Sequence, residues 1–172
     1  MILENTLKEG SQFLKKNNIN SHELDAQILL SNIMKVTREY LILNNTIDVS
    51  NKIRKKYKTD LERRTNGEPV AYITGNKEFW SQNFMVNYST LIPRPETELL
   101  IYKLVHFFKN KKINILDIGT GTGCILLSIL KELNFSKGIG IDISVKAILT
   151  ANRNANKLNL LNRSKFKVAD ID

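Results

Sequence analysis

Two carboxylates and three alternating glycines are the residues of this chain whose types and spacing could do chemistry. Ile115-Leu-Asp-Ile-Gly-Thr-Gly-Thr-Gly123 sets Asp117 inside an apolar run, Ile113 to Ile118, and then places Gly119, Gly121 and Gly123 on alternate positions, with Thr120 and Thr122 between them. Asp142 follows nineteen positions beyond Gly123, near the end of a second apolar run, Gly138 to Ile143. Glycines permit a tight turn and let a ligand approach the backbone. A helix beginning directly after them aims its first N–H groups at that ligand. A carboxylate at the end of the next strand can accept both hydrogen bonds of a ribose diol. The chemistry is that of holding a nucleotide-like ligand.

The elements that must position these groups are legible on both sides of the loop. Ile125, Leu126, Ile129, Leu130 and Leu133 follow it at helical spacing, so the stretch from Ile113 to Ile143 reads as strand, glycine loop, helix, strand. A dinucleotide fingerprint would require glycine at position 124, where Cys124 stands. An ordinary βα turn with a surface aspartate is the plainer alternative, and two acids with three glycines in register argue against it. Upstream, Pro93 and Pro95 hold the backbone extended before a helix expected from Thr97 to Phe108. Residues 69–92 alternate apolar positions with turn formers around Ser81-Gln82-Asn83 and read as a β-hairpin, with Trp80, Phe84 and Tyr88 as its packing residues.

Residues 1–66 read as four short helices. Leu3, Leu7 and Leu14 recur at helical spacing. Asn20-x-x-Glu23 has the form of a capping box, with Leu24, Ile28 and Ile33 as the apolar face behind it. Thr37 or Arg38 opens a short helix through Leu43. Ser50 caps a basic helix whose buried stripe is Ile53, Tyr57 and Leu61, and Gly67 closes it. His22 reads as a surface or first-turn residue rather than a ligand.

The loop's pattern, an acid followed after one spacer by glycines at one, three and five, looks like the first motif of class I S-adenosylmethionine methyltransferases. A second set of segments narrows this: Gly67-Glu-Pro-Val-Ala-Tyr-Ile-Thr-Gly75, Glu78-Phe-Trp80, Phe84-Met-Val86 and Leu91-Ile-Pro-Arg-Pro-Glu-Thr-Glu98. Together with the loop they resemble the HemK/PrmC family, methyltransferases that modify a glutamine of peptide chain release factors, over nearly the whole chain. The resemblance implies an α/β protein: a helical substrate-recognition domain over 1–68, a β-hairpin linker over 69–92, and over 93–172 the first half of a Rossmann-like sheet that binds S-adenosyl-L-methionine. It implies Gly119, Gly121 and Gly123 around the methionine end of that cofactor, Asp142 at its ribose and Asp170 at its adenine, with Asp117, Thr120 and Thr122 also among the cofactor-binding residues. Arg94, Glu96 and Thr97 would stand in the wall of the site, and no catalytic residue is assigned. Release factors are the implied protein partner.

The family orients its substrate amide with an Asn-Pro-Pro-Tyr tetrapeptide. This chain has three prolines, Pro69, Pro93 and Pro95, none adjacent, and the tetrapeptide does not occur in it. A class I sheet has seven strands, of which the sequence supplies about three. The expectation is therefore a piece of a longer protein that does not methylate by itself. The alternatives are a related enzyme acting on a ribosomal protein or nucleic acid, and a non-catalytic remnant that binds a partner.

Composition is compatible with this reading. Hydrophobic residues make up 42%, enough for a packed core, and no apolar run approaches the roughly 20 residues that span a bilayer. Glu4 and Glu9 among the first apolar residues argue against a signal peptide. Cys124 is the sole cysteine, which suits a reducing cytoplasm, and it reads as a packing residue rather than a nucleophile. The net charge of +9 is spread out: residues 1–68 carry 12 basic and 9 acidic side chains, and 69–172 carry 14 and 8. The densest cluster, Lys52, Arg54, Lys55, Lys56 and Lys58, reads first as a solvated helix face and second as a patch for an acidic protein or RNA.

Overall fold

The computed structural model describes residues 1–170, and their packing groups into two units, Met1–Thr74 and Gly75–Asp172. Ile171 and Asp172, the last residues of the expected third strand, lie outside the described residues.

The first unit is helical: α1 (Leu3–Lys16), α2 (His22–Met34), α3 (Arg38–Leu43), α4 (Asn51–Thr65) and a short α5 (Val70–Thr74). Local capping chemistry explains two starts. Thr37 accepts from the Tyr40 amide at 3.2 Å, and Ser50 accepts from the Ile53 amide at 3.4 Å. Gly67 turns the chain out of α4 in the left-handed region (φ 89°), with its amide on the Arg64 carbonyl and that of Glu68 on Arg63. The core gathers Leu3, Leu14, Leu29, Leu30 and Leu41, all fully buried, with Tyr57 and Leu61 from α4. Tyr57 donates its hydroxyl to the Ala26 carbonyl at 3.1 Å, and burial pushes its pKa far above the ordinary tyrosine value. Asp25, also buried, meets Arg64 at 2.7 Å and accepts from Ser21 at 2.9 Å, so the charge taken out of water is paired.

Three expectations for this unit change. The capping box at Asn20 and Glu23 does not form: α2 starts at His22, and the Ser21 hydroxyl goes to Asp25 instead. The buried face of α2 is Ala26, Leu29 and Leu30 rather than Leu24, Ile28 and Ile33; Leu24 is exposed and the other two are half-buried. Apolar residues are scattered round this helix among polar ones rather than gathered on one face, so tertiary packing chooses the inward stripe. Residues 70–74, within the stretch read as hairpin, are helical and pack Ile73 into the first core.

The second unit opens with the hairpin, β1 (Asn76–Phe79) and β2 (Gln82–Met85). Its two-residue turn is Trp80-Ser81, one position earlier than the Ser81-Gln82-Asn83 break, and both residues have positive φ (49° and 53°). Non-glycine residues enter that region at some cost. Here Glu98 accepts the Trp80 amide at 2.9 Å, and Glu132 accepts its indole N–H at 2.8 Å. A 3-10 turn, Pro95–Thr97, leads into α6 (Glu98–Phe107). The chain then runs β3 (Asn114–Ile118), α7 (Cys124–Glu132), β4 (Lys137–Asp142), α8 (Val145–Lys157) and β5 (Ser164–Val168).

The three strands form one parallel sheet in the order β3-β4-β5. One face packs against Ile101, Leu126, Leu127, Leu130 and Ala155 of the helices and Phe79 and Phe84 of the hairpin. Gly138 and Gly140 let the layers approach closely: a Cβ at Gly138 would lie 2.3 Å from Leu126 Cδ1. The other face stays exposed among the described residues, with Leu116 at 61%, Ile118 at 53% and Ile139 at 38% of full exposure. A concave apolar surface of Leu104, Phe108, Ile113, Ile115 and Leu116 runs along the outer edge of β3.

Candidate functional site

The glycine loop joins the C-terminal end of β3 to α7. Gly119, Gly121 and Gly123 have φ of 70°, 55° and 77°, the region where a side chain is strained. Gly123 also has little room for one: a Cβ would sit 3.1 Å from the Phe166 ring and 3.2 Å from the Leu127 side chain. Loop amides are held from several sides. Thr120 donates to the Ile141 carbonyl (2.9 Å), Gly123 to the Thr120 carbonyl (2.8 Å), and Cys124 to the Thr122 hydroxyl (3.3 Å).

The structure brings the two sequence-selected carboxylates to this loop. Asp142, the last residue of β4, accepts the Gly121 amide on Oδ2 and the Ser144 amide on Oδ1, both at 2.9 Å. An ionised carboxylate has about four lone-pair sites, so two internal bonds leave capacity for a ligand diol. Asp117 faces the helix side of the sheet, opposite Gly140. It accepts from the Thr120 hydroxyl at 2.7 Å. Burial raises its pKa above the ordinary carboxylate value, and the negative charge of Asp142 adds to the effect. Asp117 thus ties strand and loop together.

Asp170 reaches the same rim through the backbone: the Ala169 amide donates to the Asp142 carbonyl at 3.1 Å, and Asp170 follows it, exposed. Arg94 and Glu96 are exposed at the 3-10 turn, and Thr97 is half-buried. Cys124 is packed at the start of α7, and burial raises its thiol pKa, which disfavours the thiolate a nucleophile needs. In the helical unit, His22 shares a 2.8 Å hydrogen bond with Ser11. No group of side chains suited to a metal ion occurs among the described residues. Lys52, Lys55, Lys56 and Lys58 are exposed on α4, with Lys58 3.9 Å from Glu62, and Arg54 is half-buried.

Two residues that hold the site together escape a reading of the sequence. Ser144 could have been found, because a serine just before a helical apolar pattern signals a cap, and its hydroxyl accepts the Ala147 amide at 3.2 Å. Asn154 could not. It lies inside α8, with no local signal, yet it bonds the loop at Thr122.

Residues 5–75 match the family described as PrmC N-terminal domain, and residues 109–172 match a methyltransferase domain. A release factor glutamine methyltransferase of Buchnera aphidicola subsp. Schizaphis graminum is 44% identical over 142 residues, which is 83% of this chain and 52% of the relative. The enzyme of that name from Buchnera aphidicola subsp. Baizongia pistaciae is 42% identical, over 95% of this chain and 59% of its own. That of Clostridium botulinum is 36% identical, over 99% of this chain and 61% of its own. The chain therefore spans little more than half the length of these curated relatives. No helix among the described residues is long and apolar enough to cross a membrane.

Proposed function

We propose that this chain, whose residues 5–75 and 109–172 match a PrmC N-terminal domain and a methyltransferase domain and which is similar to release factor glutamine methyltransferases, serves the methylation of a release-factor glutamine by holding S-adenosyl-L-methionine. The carrying observation is the glycine loop clamped to Asp142 at the C-terminal end of a parallel sheet. In this reading Gly119, Thr120, Gly121, Thr122 and Gly123 border the methionine end of the cofactor. Asp142 takes the ribose hydroxyls and Asp170 the adenine amino group, and Asp117 acts from beneath the loop. Residues 1–68 meet the release factor, 69–92 connect, and 93–172 bind the cofactor. A reducing cytoplasm is the compartment this implies.

The cofactor supplies an activated methyl on a sulfonium, so the protein's task is alignment with a nucleophile. A glutamine amide nitrogen is a weak one, its lone pair delocalised into the carbonyl, and it needs its hydrogens accepted to be aimed. Asn83, Asn87 and Asn114 lack flanking prolines. The reading assigns these 172 residues cofactor and partner binding and no catalytic side chain.

Calorimetric titration with S-adenosyl-L-methionine tests the site. Asp142→Ala removes charge-assisted hydrogen bonds of roughly 1.5–3 kcal/mol each, so affinity should fall at least tenfold. Unchanged affinity would refute the ribose assignment, and tighter binding of NADH than of S-adenosyl-L-methionine would return the loop to the dinucleotide class.

A further inference from the structure

Asn154 is fully buried near the end of α8. Its Oδ1 accepts the Met85 amide at 2.7 Å. Its Nδ2 donates to the Met85 carbonyl at 3.0 Å and to the Thr122 carbonyl at 2.9 Å. Both amide hydrogens are therefore used. The carboxamide pairs with the two backbone groups of Met85 as a neighbouring strand would, and spends its remaining hydrogen on the glycine loop. Its orientation is determined, since a flipped amide would set N–H against N–H and its oxygen against two carbonyls.

These bonds act on one peptide plane. The Thr122 carbonyl is held by Asn154 while the Gly123 amide is held by the Thr120 carbonyl, so the 122–123 peptide is fixed at both ends. The same helix grips the segment after β2 one turn earlier, where Asn87 Nδ2 donates to the Thr150 hydroxyl at 2.8 Å. Lys157 adds a bond to the Asn83 carbonyl at 2.8 Å. Thr150, Asn154 and Lys157 thus form a polar rail on one face of α8. A buried carboxamide with both amide hydrogens used is costly to disturb, and here its bonds go to Met85 and to the loop rather than to the helix that carries it.

We propose that Asn154 is a positioning residue for the cofactor loop: it sets the 122–123 peptide and docks the hairpin's exit against it, so that the loop is already shaped when a ligand arrives. This rests on the cofactor reading above, but the test separates the two.

Amide hydrogen exchange over Gly121–Cys124 and calorimetric affinity for S-adenosylhomocysteine are measured for the native chain, Asn154→Leu, Asn154→Asp and Leu160→Ala. Leu160 is a buried residue of the same core that makes no contact with the loop through a side-chain hydrogen bond. Asn154→Leu should lower loop protection and affinity at least tenfold, while Leu160→Ala, destabilised through the core, keeps both within about threefold. In Asn154→Asp a carboxylate would face two carbonyls near pH 8. Near pH 5.5 its buried, protonated form can donate one hydrogen again, so part of the loop protection should return for that variant and not for Asn154→Leu. The Asn154→Asp comparison decides the matter if Asn154→Leu does not fold. Equal loss of loop protection in Leu160→Ala, or no recovery of Asn154→Asp at the lower pH, overturns the proposal. If the native chain binds no S-adenosylhomocysteine while the exchange pattern holds, the cofactor reading fails and the positioning role stands.

Discussion

The helical unit closes its core on itself, whereas the sheet unit closes only one side. In Met1–Thr74, leucines from α1, α2 and α3 reach zero exposure, and the buried Asp25 finds Arg64. In the second unit the helix-facing side is as tightly buried, with Phe79, Phe84, Leu126, Leu127 and Leu130 all at or near zero. The opposite face presents Leu116, Ile118 and Ile139 to solvent. A bundle of short amphipathic helices needs only its own stripes to bury a core. A parallel strand is apolar on both faces because it is built to be covered on both, so half of its pattern has no counterpart among residues 75–170. The lesson is that burial in this chain follows the layers present, not the hydrophobicity of each residue.

The largest expected effect tests whether the closed side of the sheet unit stands alone. Phe84 is fully buried and edge-on to Phe79 at 6.2 Å. Phe84→Ala should cost about 4 kcal/mol. Hydrogen exchange should show the loss across Gly75 to Val168, with protection in α1, α2 and α4 retained. Equal loss in both units would erase the distinction between them.

The reciprocal experiment is Gly10→Ala in α1. A Cβ there would lie 2.2 Å from the Tyr57 hydroxyl, whose ring is held in the first core. Overpacking of this kind costs about 2 kcal/mol, and thermal unfolding should register it in the helical unit only. A gain in stability, as expected for alanine replacing glycine in an open helix, would show that Tyr57 moves aside freely.

The smallest effect is expected on the open face. Leu116→Gln should change stability by no more than about 0.5 kcal/mol and should reduce self-association measured by sedimentation, because it breaks an exposed apolar patch. A loss of several kcal/mol would mean that Leu116 is covered in solution, and the contrast between the two units would narrow.

Both units show how far sequence reading carries. The caps at Thr37 and Ser50 and the glycine loop came through because their chemistry is local, whereas the capping box expected at Asn20 and Glu23 gave way to the Ser21 bond to Asp25. Thr37 and Ser50 start their helices three residues from the amides they bond. The glycine loop and Asp142 announce themselves by spacing along βαβ. The inward stripe of α2 did not come through, since a helix with its apolar residues scattered among polar ones offers no clear period to read. Neither did the Trp80-Ser81 turn, whose left-handed residues depend on carboxylates 18 and 52 positions further along.

What the sequence determines by itself is therefore the strand-loop-helix-strand order around the site, the left-handed loop that its glycines accept without strain, and the acid at the end of β4. What the tertiary structure alone decides is which bonds those groups make. Asp142 divides its oxygens between Gly121 and Ser144, Asp117 turns to Thr120, and Asn154 reaches Thr122 and Met85 across 32 and 69 residues. The physical reason is range: caps and periodicity act within a turn or two of the chain. A buried polar side chain, by contrast, must take whatever partner the packed layers bring to it.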